Sequence, residues 1–459
     1  MKPYAPHPYQ EEAIAFLLGQ PTGGLFLDPG YGKTSIVLAM LTVLKKTGHN
    51  NRALIVAPVR VAREVWPAER AKWFDFHHLS VSVLHGPRKD AALREAIDSK
   101  PDILLVSYDA LPWVVANDVA RKTDRDVLIC DESTFAKGHD TRRFKMLRGI
   151  VPHFGRRVIL TGTPIPNGYM DLWSQIYLLD QGAALGKFIT HYRNQYFNNV
   201  SHMHFPEYRL AWGADRFINE RIKPLVFRGD APEVRTKMPA VTYNQIPVQL
   251  PEQTLKLYAE LRKEFYLAMQ GHEIMPPHAA ALSMKLRQVA NGVALSDDNP
   301  KAPVVFHDAK IDALREVVEE LNGNPLLVFY EFQADRDRIC AALSAPYIGG
   351  GTSPAEAGEL IAQFNKGIIP VMCVHPLSGG FGLNLQEACH NILWFGPTWN
   401  AGYWDQGNAR VYRQGQTRPV MIHTIVGDGT DDAVVSVALE TKLNVQRALL
   451  DAVKNEEGE

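Results

Sequence analysis

The run Gly30-Tyr31-Gly32-Lys33-Thr34 follows a short apolar stretch, Gly24–Leu27, and precedes a helical pattern. Glycines let backbone N–H groups close around phosphate oxygens, and the start of the next helix adds the positive end of its dipole. In such a turn the Lys33 ammonium reaches the β- and γ-phosphates, and the Thr34 hydroxyl ligates Mg²⁺. The full pattern places glycine at position 27, where this chain has Leu27. Only half the motif is present, and alone it also fits an ordinary strand–turn–helix. A second constellation is Val127–Cys130, an apolar run ending in Asp131-Glu132. Carboxylates at the carboxyl end of a buried strand lie at the crevice where α/β sheets bind ligands. Asp131 would hold Mg²⁺, directly or through water, and Glu132 would orient and polarise an attacking water. An acidic pair can also cap a helix, but beside G-x-G-K-T it makes hydrolysis of a nucleoside triphosphate the stronger reading. A third constellation, Gln406 to Gln416, carries Arg410 and Arg413 at i, i+3, which predicts one helix face. Guanidinium groups match phosphoryl charge, whereas an isolated basic pair is by default a solvated face.

These groups need a scaffold that presents strand ends to one crevice. Gly24–Leu27, Ala53–Ala57, Ile103–Ser107, Val127–Cys130 and Val158–Leu160 are near-continuous apolar runs of strand length, as strands buried on both faces require. Helix-period stretches such as Ser35–Lys46 and Arg60–Phe74 separate them, which predicts a parallel sheet covered on both sides. Pro325–Tyr330, Val371–Val374, Asn391–Phe395 and Val420–Ile425 repeat the scheme, with Leu360–Asn365 and Trp404–Tyr412 as parts of the intervening helices. The middle is richer in aromatic and charged residues, and Pro251–Leu267 and Ala279–Val289 read as helices. Pro276–Pro277 and Asp297–Pro300 read as loops. The fold class is therefore α/β, with boundaries expected at 1–180, 181–300 and 301–459, the middle being a largely helical insertion.

The chain has 459 residues, 46% of them hydrophobic and 22% charged. That excludes a low-complexity or disulfide-scaffold protein. With 49 Lys and Arg against 50 Asp and Glu, the net charge is −1, so any polyanion must meet a local basic face. Arg52, Arg60, Arg63, Arg70 and Lys72 form one candidate group. Lys137, Arg142, Arg143, Lys145, Arg148, Arg156 and Arg157 form another. The four cysteines make no C-x-x-C pair, and buried reduced thiols are expected. His77-His78 and His202-Met203-His204 lack ligand-spaced partners. No apolar run reaches the length of a membrane span and the first residues lack a signal-peptide core; a soluble, cytoplasmic protein is expected.

Taken in order, the motifs resemble those of the Swi/Snf family of superfamily-two DNA translocases, nearly end to end. Pro8-Tyr9-Gln10 is similar to its Q-motif, Leu54–Pro58 to motif Ia, and Asp131-Glu132-Ser133-Thr134 to its D-E-A-H. Leu160-Thr161-Gly162-Thr163-Pro164-Ile165-Pro166-Asn167 resembles motif III, L-T-G-T-P-x-x-N. Leu286-Arg287-Gln288 matches an L-R-Q segment. Gly379-Gly380-Phe381-Gly382-Leu383-Asn384-Leu385 is similar to motif V. Trp399-Asn400, Gln406, Arg410 and Arg413 reproduce motif VI. Departures are Ser133-Thr134 for Ala-His, Pro29 and Tyr31 in the phosphate loop, Ala357, Asn408 and Tyr412.

The resemblance implies two RecA-like parallel-sheet lobes with ATP and Mg²⁺ in the cleft between them, in a minimal single-module form of bacterial or phage type. It implies that Gln10 reads adenine, and that Gly30, Gly32, Lys33 and Thr34 bind the triphosphate. Thr34 and Asp131 would hold the metal, with Glu132, Arg410 and Arg413 catalytic. Closure would bring the two arginines across from lobe two. Thr161, Thr163, Gly380, Gly382, Asn384 and Gln406 would couple the site to a nucleic acid, duplex DNA above all, along which the enzyme moves without separating strands. A strand-separating DNA or RNA helicase and a nucleotide-gated DNA clamp are the alternatives. Intact Lys33, Asp131, Glu132, Arg410 and Arg413 weigh against the clamp. Protein partners are not legible in the sequence.

Overall fold

The computed structural model describes residues 2–48, 52–200, 207–229, 238–269, 276–295, 303–377, 385–413 and 415–452. The first lobe contains β1 (Thr22–Phe26), β2 (Ala53–Ala57), β3 (Val81–Val83), β4 (Ile103–Ser107), β5 (Val127–Asp131) and β6 (Arg156–Thr161). A ribbon of β7 (Phe197–Asn199) and β8 (Tyr208–Leu210) follows, then β9 (Val226–Phe227). Apart from that antiparallel ribbon the strands form one sheet, ordered β3-β4-β2-β5-β6-β1-β9, with every pairing parallel. Alternate residues of each strand enter opposite cores. Leu54, Val56, Leu104, Val106, Leu128 and Cys130 point to one face, and Ala53, Ile55, Ala57, Ile103, Leu105, Val127 and Ile129 to the other. Burial on both faces is why these runs read as continuous apolar segments rather than alternating ones.

The second lobe contains β10 (Val241–Val248), the ribbon β11 (Val293–Leu295) and β12 (Pro303–Val305), β13 (Leu326–Phe329), β14 (Tyr347–Ile348), β15 (Val371–Val374), β16 (Asn391–Trp394) and β17 (Val420–Gly427). Its sheet runs β10-β17-β16-β13-β15-β14, again all parallel. Leu327, Phe329, Met372, Val374, Ile392 and Trp394 fill one side; Leu326, Val328, Val371, Cys373 and Leu393 fill the other.

Among its described residues, the stretch 181–300 is helical at 189–196, 214–222, 252–269 and 276–291, and it also lends a strand to each sheet. Its β9 pairs with β1 in the first sheet, and its β10 lies along β17 from Val241 to Val248 in the second. Isolated short apolar runs in a polar, aromatic-rich segment are invisible to periodicity until a sheet edge takes them. The expected helices are there, as Glu252–Met269 and Pro276–Asn291. Pro276–Pro277 opens the second helix instead of forming a loop, since proline's missing N–H costs nothing in a first turn. Asp297–Pro300 lies outside the described residues.

A 21-residue helix, Asp432–Ala452, leaves the second lobe after β17 and runs back to the first. Its Leu449 and Leu450 are buried in the first lobe's core with Ile218 and Ile222. Lys442 Nζ donates to the Trp399 carbonyl at 2.7 Å and Gln446 Nε2 to Asp405 at 2.8 Å, so the same helix touches both lobes.

Candidate active site

The carboxyl ends of β1 and β5, the loop after β6, and the segment around Arg410 face one another across a cleft of about 1790 Å³. Gly30 and Gly32 hold φ of 89° and 71°, left-handed conformations that admit glycine. Gly32 caps the helix Lys33–Lys46, so that helix's free N–H groups open onto the cleft. Lys33 Nζ donates to the carbonyls of Leu27, at 2.7 Å, and Asp28, at 3.3 Å. Burial lowers its pKa, and Glu132, Asp131 and Asp28 act against that shift. Asp28 is held in turn by Arg228, whose Nη1 and Nη2 donate to its two oxygens at 3.1 and 3.3 Å. No strict P-loop glycine is needed at Leu27, which is a buried core residue.

Gln10 sits beneath this loop. A Cβ on Gly32 would approach its Nε2 to 2.4 Å. Its amide is engaged within the protein: Nε2 donates to the Tyr31 carbonyl at 3.2 Å, and Oε1 accepts from the His7 N–H at 3.0 Å. It lines the cleft while bracing the phosphate loop.

Asp131 ends β5. Its Oδ2 accepts from Trp66 Nε1 at 2.9 Å and its Oδ1 from the Glu132 N–H at 3.0 Å. Burial, and then the neighbouring Glu132, push its pKa up to about 6. Glu132 has a φ of 51°, a left-handed conformation unusual for a residue with a side chain. The Tyr108 hydroxyl donates to the Asp131 carbonyl at 2.9 Å and reaches that of Glu132 at 3.4 Å, which holds the strained corner. Glu132 Oε2 is buried with no hydrogen-bond partner among the described residues. A buried acid with a raised pKa and an orphaned carboxylate oxygen, beside a half-buried lysine, form a donor set suited to a hard divalent cation and a water. Thr34, Asp131 and Glu132 all line the cleft, so these residues fit Mg²⁺.

Across the cleft, the helix Ala401–Asn408 ends before the two arginines. The expected shared helix face is replaced by tight turns, with Arg410 N–H donating to the Gly407 carbonyl and Tyr412 N–H to that of Asn408. The helix stops because its last residues are otherwise engaged. Asn408 Oδ1 accepts from Trp394 Nε1 at 3.0 Å, and Gly407 fits against the Trp394 ring. Gln416 Nε2 then ties the turn to the Cys389 and Val411 carbonyls, at 2.8 and 3.3 Å. Both arginines nonetheless face the cleft. Burial and the adjacent Arg413 lower the Arg410 pKa to about 10, and its Nε is buried without a partner among the described residues. Arg413 lies against the phosphate loop: a Cβ on Gly30 would stand 3.7 Å from its Nε. The lobes are therefore already closed here, and the arginines do not wait at a distance.

The loop after β6 links the two sides. Thr161 Oγ1 accepts from the Thr163 N–H at 3.0 Å. A Cβ on Gly162 would meet Pro29 Cδ at 2.9 Å, so glycine there and proline in the phosphate loop fit each other. Gly402 of lobe two abuts Pro166 and Thr163, at 3.6 and 3.7 Å from its virtual Cβ. Gln406 lines the cleft one turn on. Gly380, Gly382, Asn384 and His202 to His204 lie outside the described residues.

The basic clusters separate once folded. Arg52 pairs with Asp124 at 2.6 Å, Arg156 donates to the Leu17 and Gln20 carbonyls, and Arg157 sits beside it at the amino end of β6, away from the strand ends that face the cleft. Arg70 donates to the Leu79 and His77 carbonyls. Arg60, Lys72, Lys137 and Arg143 line the cleft. Charge counting alone does not reveal which end of a strand a basic residue occupies.

The model of the SNF2-related domain matches residues 9–295, and that of the helicase conserved C-terminal domain residues 309–415. This chain belongs to the SNF2-related family. The protein p41 of Acyrthosiphon pisum secondary endosymbiont phage 1 is 31% identical over 99% of this chain and 100% of its own length. YwqA of Bacillus subtilis, whose name describes an ATP-dependent helicase/translocase, is 24% identical over 97% of this chain and 49% of its own length. Beyond the phage protein, this chain spans 40–49% of the length of the curated relatives it matches. The SWI2/SNF2 ATPase core of Sulfolobus solfataricus, in complex with dsDNA, aligns over 100% of this chain with 21% identity and a TM-score of 0.45. Among the described residues, no helix is long and apolar enough to cross a membrane.

Proposed function

We propose that this SNF2-family chain is a DNA-dependent ATPase that moves along duplex DNA. The observation that carries it is the pairing across one cleft of Lys33, Asp131 and Glu132 from the first lobe with Arg410 and Arg413 from the second. A site split between two bodies ties each hydrolysis event to their relative position. The names of its relatives, helicases and translocases, support the same reading.

Gly30, Gly32 and Lys33 would bind the triphosphate of ATP, Gln10, bracing the phosphate loop, would read adenine, and Thr34 and Asp131 would hold Mg²⁺. When bound, Mg²⁺ supplies charge that neutralises the β- and γ-phosphate oxygens. Glu132, fixed by its strained backbone with one oxygen unpartnered, orients a water and accepts its proton. Arg410 and Arg413 meet the negative charge on the transferred phosphoryl group. Arg60, Lys72 and Arg143, which line the cleft in ion pairs with Glu64, Glu69 and Asp109, would exchange those partners for DNA backbone phosphates, which position a duplex without reading its sequence. The protein acts away from any membrane, in the cytoplasm of a bacterium or of a phage's host.

The deciding experiment is ATP turnover without nucleic acid, then with duplex DNA, single-stranded DNA and RNA, at two salt concentrations. Duplex DNA should stimulate most, with stimulation falling steeply as salt rises. Turnover indifferent to DNA, or raised by RNA alone, defeats the translocase reading.

A further inference from the structure

The residue after Glu132 is Ser133, where the resembled motif has alanine. Ser133 is fully buried, and its Oγ donates to Gln175 Oε1 at 2.7 Å. Gln175 is also fully buried, in the helix Leu172–Asp180 that follows the β6 loop. Its Nε2 donates to the Pro164 carbonyl at 2.7 Å and to the Asp171 carbonyl at 2.8 Å. An apolar side chain would satisfy none of these three groups, and a carboxylate would set its oxygens against two carbonyls. Pro164 lies in the loop whose Thr163 and Pro166 face Gly402 of the second lobe. A second strand of the same tie is Lys137, also just beyond β5, whose Nζ lies 3.4 Å from Asp171. Asp171 in turn accepts from the Asn167 N–H at 2.9 Å.

We propose that Gln175 is a positioning residue that transmits the seating of lobe two to Glu132. The proposal rests on the ATPase reading above and adds a residue that none of the motifs contains. Gly402 of lobe two lies next to the 163–166 loop, and Gln175 joins that loop to the residue next to Glu132. Because Glu132 has a left-handed backbone and an oxygen without a partner among the described residues, its orientation depends on what holds its neighbours. Polar groups that are all satisfied inside a dry core have one good arrangement, so a displacement at one end is passed on and not absorbed. Ser133 and Gln175 form a mutually dependent pair. A hydroxyl without the amide, or the amide without the hydroxyl, leaves a buried group unpaired.

A double-mutant cycle in the full chain tests this, with Ser133→Ala, Gln175→Leu and the two combined. The readouts are kcat and KM for ATP without DNA and with saturating duplex DNA, beside the melting temperature. The expected result is about a tenfold fall in the ratio of DNA-stimulated to basal kcat for each single variant, equivalent to ~1.4 kcal/mol. KM for ATP should change little, and the double variant should lose no more than the worse single one. Ser133→Ala keeps both amide donations of Gln175, so it decides the matter if Gln175→Leu does not fold. Variants that melt earlier but keep the wild-type ratio, or losses that simply add, overturn the proposal while leaving the ATPase reading intact. A wild-type enzyme whose turnover ignores DNA defeats the ATPase reading, and this proposal with it.

Discussion

At the scale of single residues, the site is built from groups that the protein leaves incompletely satisfied. Glu132 combines a φ of 51° with a buried Oε2 that has no partner among the described residues. Strain of this kind costs about 1–3 kcal/mol and persists where surrounding contacts impose it. Glu132→Gln fills the same volume and removes the base. Its ATP affinity should stay near wild type while kcat falls roughly 10²–10⁴-fold; equilibrium ATP binding beside single-turnover hydrolysis checks this, and a collapse in affinity would make the residue structural. Not every perturbed carboxyl belongs to the cleft. Asp335, in the second lobe, is fully buried and accepts from Asn291 Nδ2 at 2.7 Å, facing Lys310, Arg338 and Arg287. Burial outweighs that hydrogen bond and those cations and raises its pKa to about 7. The folded protein thus keeps a proton that the unfolded chain releases near pH 4, so this residue's stabilisation fades as pH rises through 7. Asp335→Asn mimics the protonated form. Its melting temperature should match wild type near pH 4 and exceed it by a few degrees at pH 8, with calorimetry across that range as the check.

At the scale of elements, the parallel strands were the most legible part of the chain. Ala53–Ala57, Ile103–Ser107 and Val371–Val374 are strands over those very residues, because double-sided burial writes itself as an uninterrupted apolar run. Lys33, Asp131, Glu132, Arg410 and Arg413 were legible as types and spacings, and the fold brings all five to one cleft. What escaped were features set by tertiary contact. β9 and β10 are made strands by sheet edges contributed from distant sequence. The helix Ala401–Asn408 stops short of Arg410, where Trp394 holds Asn408 and Gln416 holds the turn beyond it. Gln175 gave no signal, since a glutamine in an apolar helix declares neither its burial nor its partners. The contact between the β6 loop and the phosphate loop is likewise unreadable from either motif alone. Gly162 admits Pro29 so closely that an added Cβ would lie 2.9 Å from Pro29 Cδ and 3.2 Å from the Leu27 carbonyl. The second neighbour is backbone and cannot rotate away. Gly162→Ala should therefore displace the phosphate loop at an overpacking cost of about 1–3 kcal/mol. A rise in KM for ATP of roughly tenfold is the expected reading, and an unchanged KM would show that the loop yields without cost.

At the scale of the whole molecule, the two lobes are joined by more than the crossing chain. The helix Asp432–Ala452 starts on the second lobe, where Lys442 and Gln446 bond Trp399 and Asp405. It ends with Leu449 and Leu450 in the first lobe's core, at 0% and 4% exposure. A rigid helix anchored at both ends limits how far the cleft can open. That fits a structure in which Arg413 already lies over Gly30. Replacing both leucines with alanine removes apolar contacts worth about 2–5 kcal/mol each in a well-packed core. The helix has a cheaper response than leaving two cavities, which is to lift its end from the first lobe. The two leucines are a small part of a core that also holds Phe144, Leu147, Trp173 and Ile176. Each lobe should then stay folded while the link between them loosens. Calorimetry of Leu449→Ala/Leu450→Ala should show the single transition of the wild type broaden or split. DNA-stimulated kcat should fall, because Arg410 and Arg413 spend less time opposite Lys33, and ATP binding by the Lys33 side should persist. One sharp transition with wild-type kcat would mean that the cleft is held closed by the lobe faces themselves, through Gly402 against Thr163 and Pro166, and that the helix is only a passenger on both.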